Sequence, residues 1–341
     1  MNNEIDVTNH ASPLVDGFGR RVTYLRLSVT DRCDLRCTYC MPQHMIFSPR
    51  RSLLSVAEFD RIAEAFVAGG VRKIRLTGGE PLVRKDLPDL LQRLGRHLAS
   101  GRLDEITVST NGSQLARLAE TLAGFGVTRV NVSLDTLDFD QYRSITRGGE
   151  LSDVLEGIEA ARAAGLSIRI NSVALRGVIE EQFEPLLRYA HGRGMALALI
   201  ETMPLGDTGF SRVGQYLSLT EFRKHLSGRW SLLALDHKSG GPAQYVAVKE
   251  TGGLLGFITP LSCNFCASCN RVRVGSSGRL YTCMGHEGSV DLRPALASAE
   301  PARQLDLTIR DALRRKPERH SLRIGQAGVN GIGRHMSVLG G

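Results

Sequence analysis

Six short runs rich in branched apolar residues, with helical patterns between them, constrain the fold of this chain more than any other feature. They are "TYLRLSVT" (23–30), "RKIRLTG" (72–78), "EITVST" (105–110), "TRVNVSL" (128–134), "LSIRINSV" (166–173) and "ALALIE" (196–201). The helical stretch "SVAEFDRIAEAFVAGG" opens on a capping box, Ser55 with Glu58, and sets Val56, Phe59, Ile62 and Phe66 on one face. The stretches 152–165 and 180–194 behave alike, each closing on Gly. Strands alternating with helices imply a parallel sheet. Strands covered on both faces read as near-continuous apolar runs, and these do not. Leu25, Leu27 and Val29 alternate with Tyr24, Arg26 and Ser28; Ile74 and Leu76 alternate with Lys73, Arg75 and Thr77. The next three runs follow the same rule. One face therefore packs on helices, while the other is polar and repeatedly cationic. A filled eight-stranded barrel carries bulky branched residues on that inner face. The expected fold is α/β, an incomplete (βα)6 barrel whose wet lumen holds a charged ligand; solvent-facing edge strands are the plain alternative.

After residue 205 the pattern changes to short antiparallel-looking strands ("SLLAL", "AQYVAVKE", "GLLGFITP"), a cysteine-rich stretch, a helix near 301–315 and a Gly-rich tail. The expected division is an N-terminal segment 1–20, a barrel 21–215 and a small α+β C-terminal region 216–341. Lys and Arg outnumber Asp and Glu by 43 to 35, an excess that suits an anionic ligand or nucleic acid. Aromatics are only 6% and no basic block dominates, which leaves little support for a nucleic-acid stacking platform. The first residues lack the layout of a signal peptide, and no 18-residue apolar run occurs. A cytoplasmic protein without membrane attachment is expected.

All seven cysteines fall into two knots, Cys33, Cys37 and Cys40, then Cys263, Cys266, Cys269 and Cys283. Such clustering favours metal or iron–sulfur ligation over a disulfide framework. "CDLRCTYC" supplies three thiols, whereas a structural zinc site has a fourth ligand nearby. Three thiolates on a four-iron cubane leave one iron open for a substrate or cofactor.

The C-x3-C-x2-C loop behind a first strand, Tyr39 before its last cysteine, and "GGEP" (78–81) after the second strand resemble the radical S-adenosylmethionine superfamily. The second knot spells C-x2-C-x13-C at Cys266, Cys269 and Cys283. With it, "YLRLSVTDRC", "KIRLTGGEPLVRKDL", "VNVSLDTLD", "IETMPLG", "CNRVRV" and the terminal "MSVLGG" resemble the MoaA family nearly end to end. Members of that family are the GTP 3′,8-cyclases of molybdenum cofactor biosynthesis.

The resemblance implies two 4Fe-4S clusters, one on Cys33, Cys37 and Cys40, the other on Cys266, Cys269 and Cys283 with its open iron toward guanine. It implies S-adenosylmethionine contacts at Tyr39, Gly79, Ser133 and Met203, with glycine permitting close backbone approach. Triphosphate needs fixed cations, and Arg offers a planar fork for phosphate oxygens. Arg26, Lys73, Arg75, Arg169, Arg271 and Arg273 are the candidates, with Ser109 beside them; a lone surface Arg is ordinarily just solvated. Gly340 and Gly341 are implied to thread into the barrel and serve catalysis. The implied partners are GTP, a reductant such as flavodoxin or ferredoxin, a downstream cyclic pyranopterin monophosphate synthase and a second copy of the chain.

Three positions depart from the family pattern. Arg169 stands where Lys is expected, Ala198 where Arg often occurs, and Cys263 is an additional thiol, read as a spare. The competing readings are another radical enzyme of this superfamily with an auxiliary cluster, acting on a peptide or haem side chain, and a basic metal-bearing RNA-binding protein.

Overall fold

The computed structural model describes residues 12–236, 240–325 and 328–340. The six expected strands are β1 (Tyr24–Ser28), β2 (Lys73–Thr77), β3 (Glu105–Thr110), β4 (Val127–Ser133), β5 (Ser167–Val173) and β6 (Ala196–Ile200), which lie side by side in chain order and run parallel. Between them run α1 (Val56–Ala68), α2 (Leu87–Ala99), α3 (Leu115–Gly124), α4 (Phe139–Thr146), α5 (Leu151–Ala163) and α6 (Ile179–His191). Leu25, Leu27, Ile74, Leu76, Ile106 and Val108 are fully buried with Phe59, Ile62 and Phe66 of α1 in one core. The alternate residues point the other way. In register, Tyr24 stands beside Lys73, Arg26 beside Arg75, and Ser28 beside Thr77.

The C-terminal half comprises α7 (Arg212–Gln215), α8 (Leu219–Ser227), β7 (Leu232–Ala234), β8 (Gln244–Val248), β9 (Leu254–Ile258), β10 (Arg271–Val274), β11 (Arg279–Tyr281), β12 (Val290–Asp291), α9 (Arg293–Leu296), α10 (Pro301–Arg314), the hairpin β13 (Arg323–Gly325) with β14 (Gly328–Asn330), and α11 (Met336–Leu339). Here the structure adds what the sequence reading left open. Among the described residues the sheet has twelve strands, in the order β12-β11-β10-β1-β2-β3-β4-β5-β6-β9-β8-β7. The C-terminal region extends the six-stranded sheet at both edges and does not form a layer of its own. β9 adds to β6 and β10 to β1, both parallel, and the outer strands are antiparallel. The sheet remains open. Short strands pairing with partners so distant in sequence carry no local signal of their register.

At the start of α1 the capping box is complete, with Glu58 N donating to Ser55 Oγ (3.3 Å) and Ser55 N to Glu58 Oε2 (2.7 Å). Ser55→Ala is expected to cost about 1 kcal/mol of stability, read as a lower urea midpoint at unchanged slope.

Candidate active site

The chain leaves β1 into a loop, residues 29–54, that carries the first cysteine knot. Cys40 N donates to Cys37 O (2.9 Å), closing a tight turn, while Arg36 Nη1 donates to Cys33 O (2.7 Å). The loop is laced to α4: Arg36 N reaches Thr146 O (3.0 Å) and Thr38 N reaches Ile145 O (2.9 Å). The three thiols are half-buried and lie within one another's electrostatic reach. Burial, with the neighbouring thiols, raises Cys37 well above the ordinary thiol value; burial raises Cys40 to about 11, against Arg212 and the Ser337 amide. A metal that takes thiolates must overcome that burial penalty.

The glycines of "GGEP" are required by this loop. A Cβ on Gly78 would stand 2.5 Å from Thr30 O, and one on Gly79 2.3 Å from Arg32 O. Their close approach is thus to the cysteine loop's own backbone. Glu80 follows, fully buried, accepting from Thr110 Oγ1 (2.8 Å), Asn111 N (2.6 Å) and Leu82 N (2.9 Å); burial raises it to about 7 despite these bonds. Tyr39 is held twice: its phenol bonds Asp135 at the end of β4, and its carbonyl accepts from Arg212 Nη1 (2.8 Å). Ser109 and Ser133 lie in the last two positions of β3 and the last of β4, half-buried, facing Asn131 and Asn171 in register. Met203 packs with Leu205 and Leu339.

The second knot lies at the opposite end of the strands. Cys266 and Cys269 immediately precede β10, whose Arg271 pairs with Tyr24 at the start of β1, and Cys283 follows the antiparallel β11. The Cys283 thiol has Cys269 and Cys266 as electrostatic neighbours, whereas Cys263 is exposed. A five-residue strand therefore separates the two knots, on the order of 15 Å at the usual rise per residue. Burial opposes ionisation of Cys269, but Lys316 and Arg271 outweigh it and bring the thiol down to about 7.

Between the knots runs a cationic lumen. Arg75 and Arg169 are buried, and Arg26 and Arg273 half-buried; Arg26 is matched in register with Arg75 on one side and Arg273 on the other. Burial pushes Arg75 down to about 9, with Tyr24 opposing and Arg26 and Arg169 adding to it. Burial and then Arg271 push Arg273 down to about 10, and burial with Arg273 takes Arg26 well below the ordinary range. A guanidinium stays protonated near neutrality regardless, so the lumen face carries several positive charges close together. Lys73 differs, being ion-paired with Glu105, which also takes Arg129 (2.7 Å). Arg271 lies over the Phe265 ring (4.9 Å).

Arg169 is braced by Asn171 Oδ1 (2.9 Å) and by the Tyr245 hydroxyl (2.9 Å). The Tyr245 ring covers Gly256, which is paired in register with Ala198, so a tyrosine occupies the wall beside the departure at 198. A cleft of about 560 Å³ lined by Tyr245, Gln244, Ser268 and Asn270 opens beside the second knot. Tyr24, Asp135, Arg212, Tyr245 and Lys316 escaped the reading of the sequence; the apolar–polar alternation had already placed Tyr24 on the lumen face.

The tail enters from the other side. Arg273 Nη1 donates to Gly340 O and to Leu339 O (3.3 Å), and a Cβ on Gly340, whose φ is +76°, would stand 2.4 Å from Thr77 Cγ2. Gly341 lies outside the described residues.

Among the described residues no three His, Cys, Asp or Glu side chains converge on a single-ion site. A four-iron cubane takes each thiolate on a different iron, and two groups of three free, half-buried thiols fit that donor set.

An open parallel sheet with such a loop at its strand ends is the fold of radical S-adenosylmethionine enzymes. Residues 27–190 match the Radical SAM superfamily, and residues 195–322 match Molybdenum Cofactor Synthesis C. The crystal structure of Streptococcus suis SuiB bound to S-adenosylmethionine superposes with a TM-score of 0.61 at 16% identity, covering 86% of this chain and 68% of that one. Native anSMEcpe with bound AdoMet gives 0.53 at 15% identity, covering 84% and 83%. Both likenesses concern the fold. The GTP 3′,8-cyclase of Rhizobium etli is 53% identical over 349 residues, all of both chains, and that of Agrobacterium fabrum 52% over 336 residues, 98% of this chain and 96% of the relative. The chain belongs to the GTP 3′,8-cyclase family.

Tripolyphosphate is expected to raise the melting temperature. At one hundred times its dissociation constant the stabilisation is about 2.7 kcal/mol. An Arg75→Gln/Arg273→Gln variant should lose most of that shift in differential scanning fluorimetry; equal shifts in both proteins would place the anion elsewhere.

Proposed function

We infer that this chain converts GTP to (8S)-3′,8-cyclo-7,8-dihydroguanosine 5′-triphosphate, the first step of molybdenum cofactor biosynthesis. One observation carries the reading: two three-thiol knots face each other across a cationic lumen, in a chain more than half identical to cyclases over its whole length. Cys33, Cys37 and Cys40 would hold one 4Fe-4S cluster and Cys266, Cys269 and Cys283 the other. Bound there, the first cluster would supply one-electron reduction for S-adenosylmethionine cleavage, and the second would supply a Lewis-acidic iron for the base.

The protein's share is binding and orientation. Tyr39, Gly79, Ser133 and Met203 would contact S-adenosylmethionine, with Asp135 and Arg212 fixing Tyr39. Arg26, Arg75, Arg169, Arg271 and Arg273 offer phosphate oxygens a set of planar donors, braced by Tyr245 at Arg169. Ser109 lies among them, and Lys73 shapes the wall through Glu105. The Gly340 carbonyl, held by Arg273, brings the tail to the same cations. These residues orient the substrate, and a small misplacement of a reacting atom costs much of the rate. The reading calls for a one-electron reductant such as flavodoxin or ferredoxin and for a downstream cyclic pyranopterin monophosphate synthase. A cytoplasmic location and a homodimer fit it. No helix among the described residues is long and apolar enough to cross a membrane.

Cys37→Ser is expected to abolish 5′-deoxyadenosine formation in anaerobic assays, and a normal rate would overturn the first ligand set. Cys283→Ser should weaken GTP binding and product formation more than S-adenosylmethionine binding; equal loss of both would make the second knot a structural prop. Appending one Ala after Gly341 should leave both clusters and S-adenosylmethionine binding intact while cyclisation falls ~100-fold. Full activity in the extended protein would remove the tail from the site.

A further inference from the structure

The segment that follows α10 wraps the second cysteine knot. Lys316 is 3% exposed, and its ammonium donates to Arg271 O (3.0 Å), Thr282 O (2.8 Å) and Cys269 Sγ (3.4 Å). Those two carbonyls belong to the residue two past Cys269 and the residue just before Cys283, so one side chain ties both arms of the knot. The next residues are fastened as well. Arg20 Nη2 donates to Pro317 O (2.8 Å), Arg20 Nη1 to Glu318 O (2.6 Å) and to Cys266 O (2.8 Å), and His320 Nε2 bonds Pro260 O (2.8 Å). This anchoring leaves Lys316 no freedom to turn its charge toward water.

Among the described residues no carboxylate accompanies Lys316; its partners are two neutral carbonyls and a sulfur. Burying an ammonium without an anion is strongly unfavourable, and the group is retained only where a negative charge answers it. The anion on offer is thiolate, from Cys269 in contact and Cys283 beside it. Hydrogen bonds to ligand sulfur, together with nearby positive charge, stabilise the more negative reduced state of an iron–sulfur centre and raise its potential.

We propose that Lys316 is a positioning residue of the second cluster, holding the Cys269 and Cys283 arms in place and setting that cluster's reduction potential through its charge and its N–H···S bond. The inference rests on the two-cluster reading above and assigns a role to a residue outside both cysteine motifs.

The test is an anaerobic redox titration of reconstituted holoenzyme with dithionite and mediators, followed by electron paramagnetic resonance. The Cys37→Ser protein serves only to assign which signal belongs to which centre. Lys316→Met should lower the potential of the second centre, with at least a tenfold fall in its reduced-to-oxidised ratio at fixed potential, about 59 mV for one electron. The first centre's potential and S-adenosylmethionine binding should not move. Loss of the second centre alone, from about eight irons per chain to about four, also supports the role. Lys316→Arg, which keeps the charge, should stay near wild type.

Wild-type iron and wild-type potentials in Lys316→Met overturn the proposal, as does a shift in Lys316→Arg as large as that in Lys316→Met. Should Lys316→Met fail to fold, Lys316→Gln decides by the same readings, since it keeps an N–H donor without the charge. A wild-type protein that takes up only about four irons overturns the two-cluster reading itself, and this inference with it.

Discussion

Like charge held inside the lumen organises this molecule. Arg26, Arg75 and Arg273 stand on adjoining strands and Arg169 on β5 of the same sheet, while Lys73 is answered by the Glu105 carboxylate. Such a ring is costly in the absence of an anion, and the rest of the structure keeps it in place. Asn171 and Tyr245 hold Arg169, Thr107 holds Arg75 through its hydroxyl (3.2 Å), and the tail carbonyl occupies Arg273. The Tyr24 phenol is buried beneath Lys73 and Arg75, with its hydroxyl lacking a hydrogen-bond partner among the described residues. Every one of these contacts preorganises donors for a polyanion at little further ordering cost.

The two ends of the lumen divide the chemistry. At the carboxyl ends of the strands the cysteine loop, Glu80, Asp135 and Arg212 build a fixed frame around the first knot. At the amino ends Lys316, Arg20 and the arms of β10 and β11 frame the second. A substrate lying along strands of this length reaches both, and a shorter ligand would not.

Much of this was legible in the residues. Alternation within β1 to β5 placed the cations on the inner face, because side chains in a strand alternate strictly between faces. The glycine pair of "GGEP" marked a close approach, which in the structure is to the cysteine loop. What the residues hid is long-range. Nothing near Lys316 announces that its ammonium meets Cys269, forty-seven positions earlier. Tyr245 lies seventy-six positions from Arg169, and β10 reaches β1 only through tertiary pairing. Local periodicity reports which face a residue occupies, and it says nothing about which distant strand shares that face.

The pairing of β10 with β1 has a consequence for the protein's birth. β1 is complete by Ser28, but its outer neighbour ends at Val274. At synthesis rates of about 5–20 residues per second, the ribosome needs tens of seconds to deliver β10. Throughout that interval the oldest strand of the sheet presents a bare row of amides and carbonyls, the kind of edge that recruits another nascent chain. Arg26 on that strand places a charge at the open edge, and like charge discourages two such edges from meeting. The charge on the lumen face thus also guards the unfinished sheet while it waits for its last parallel strand.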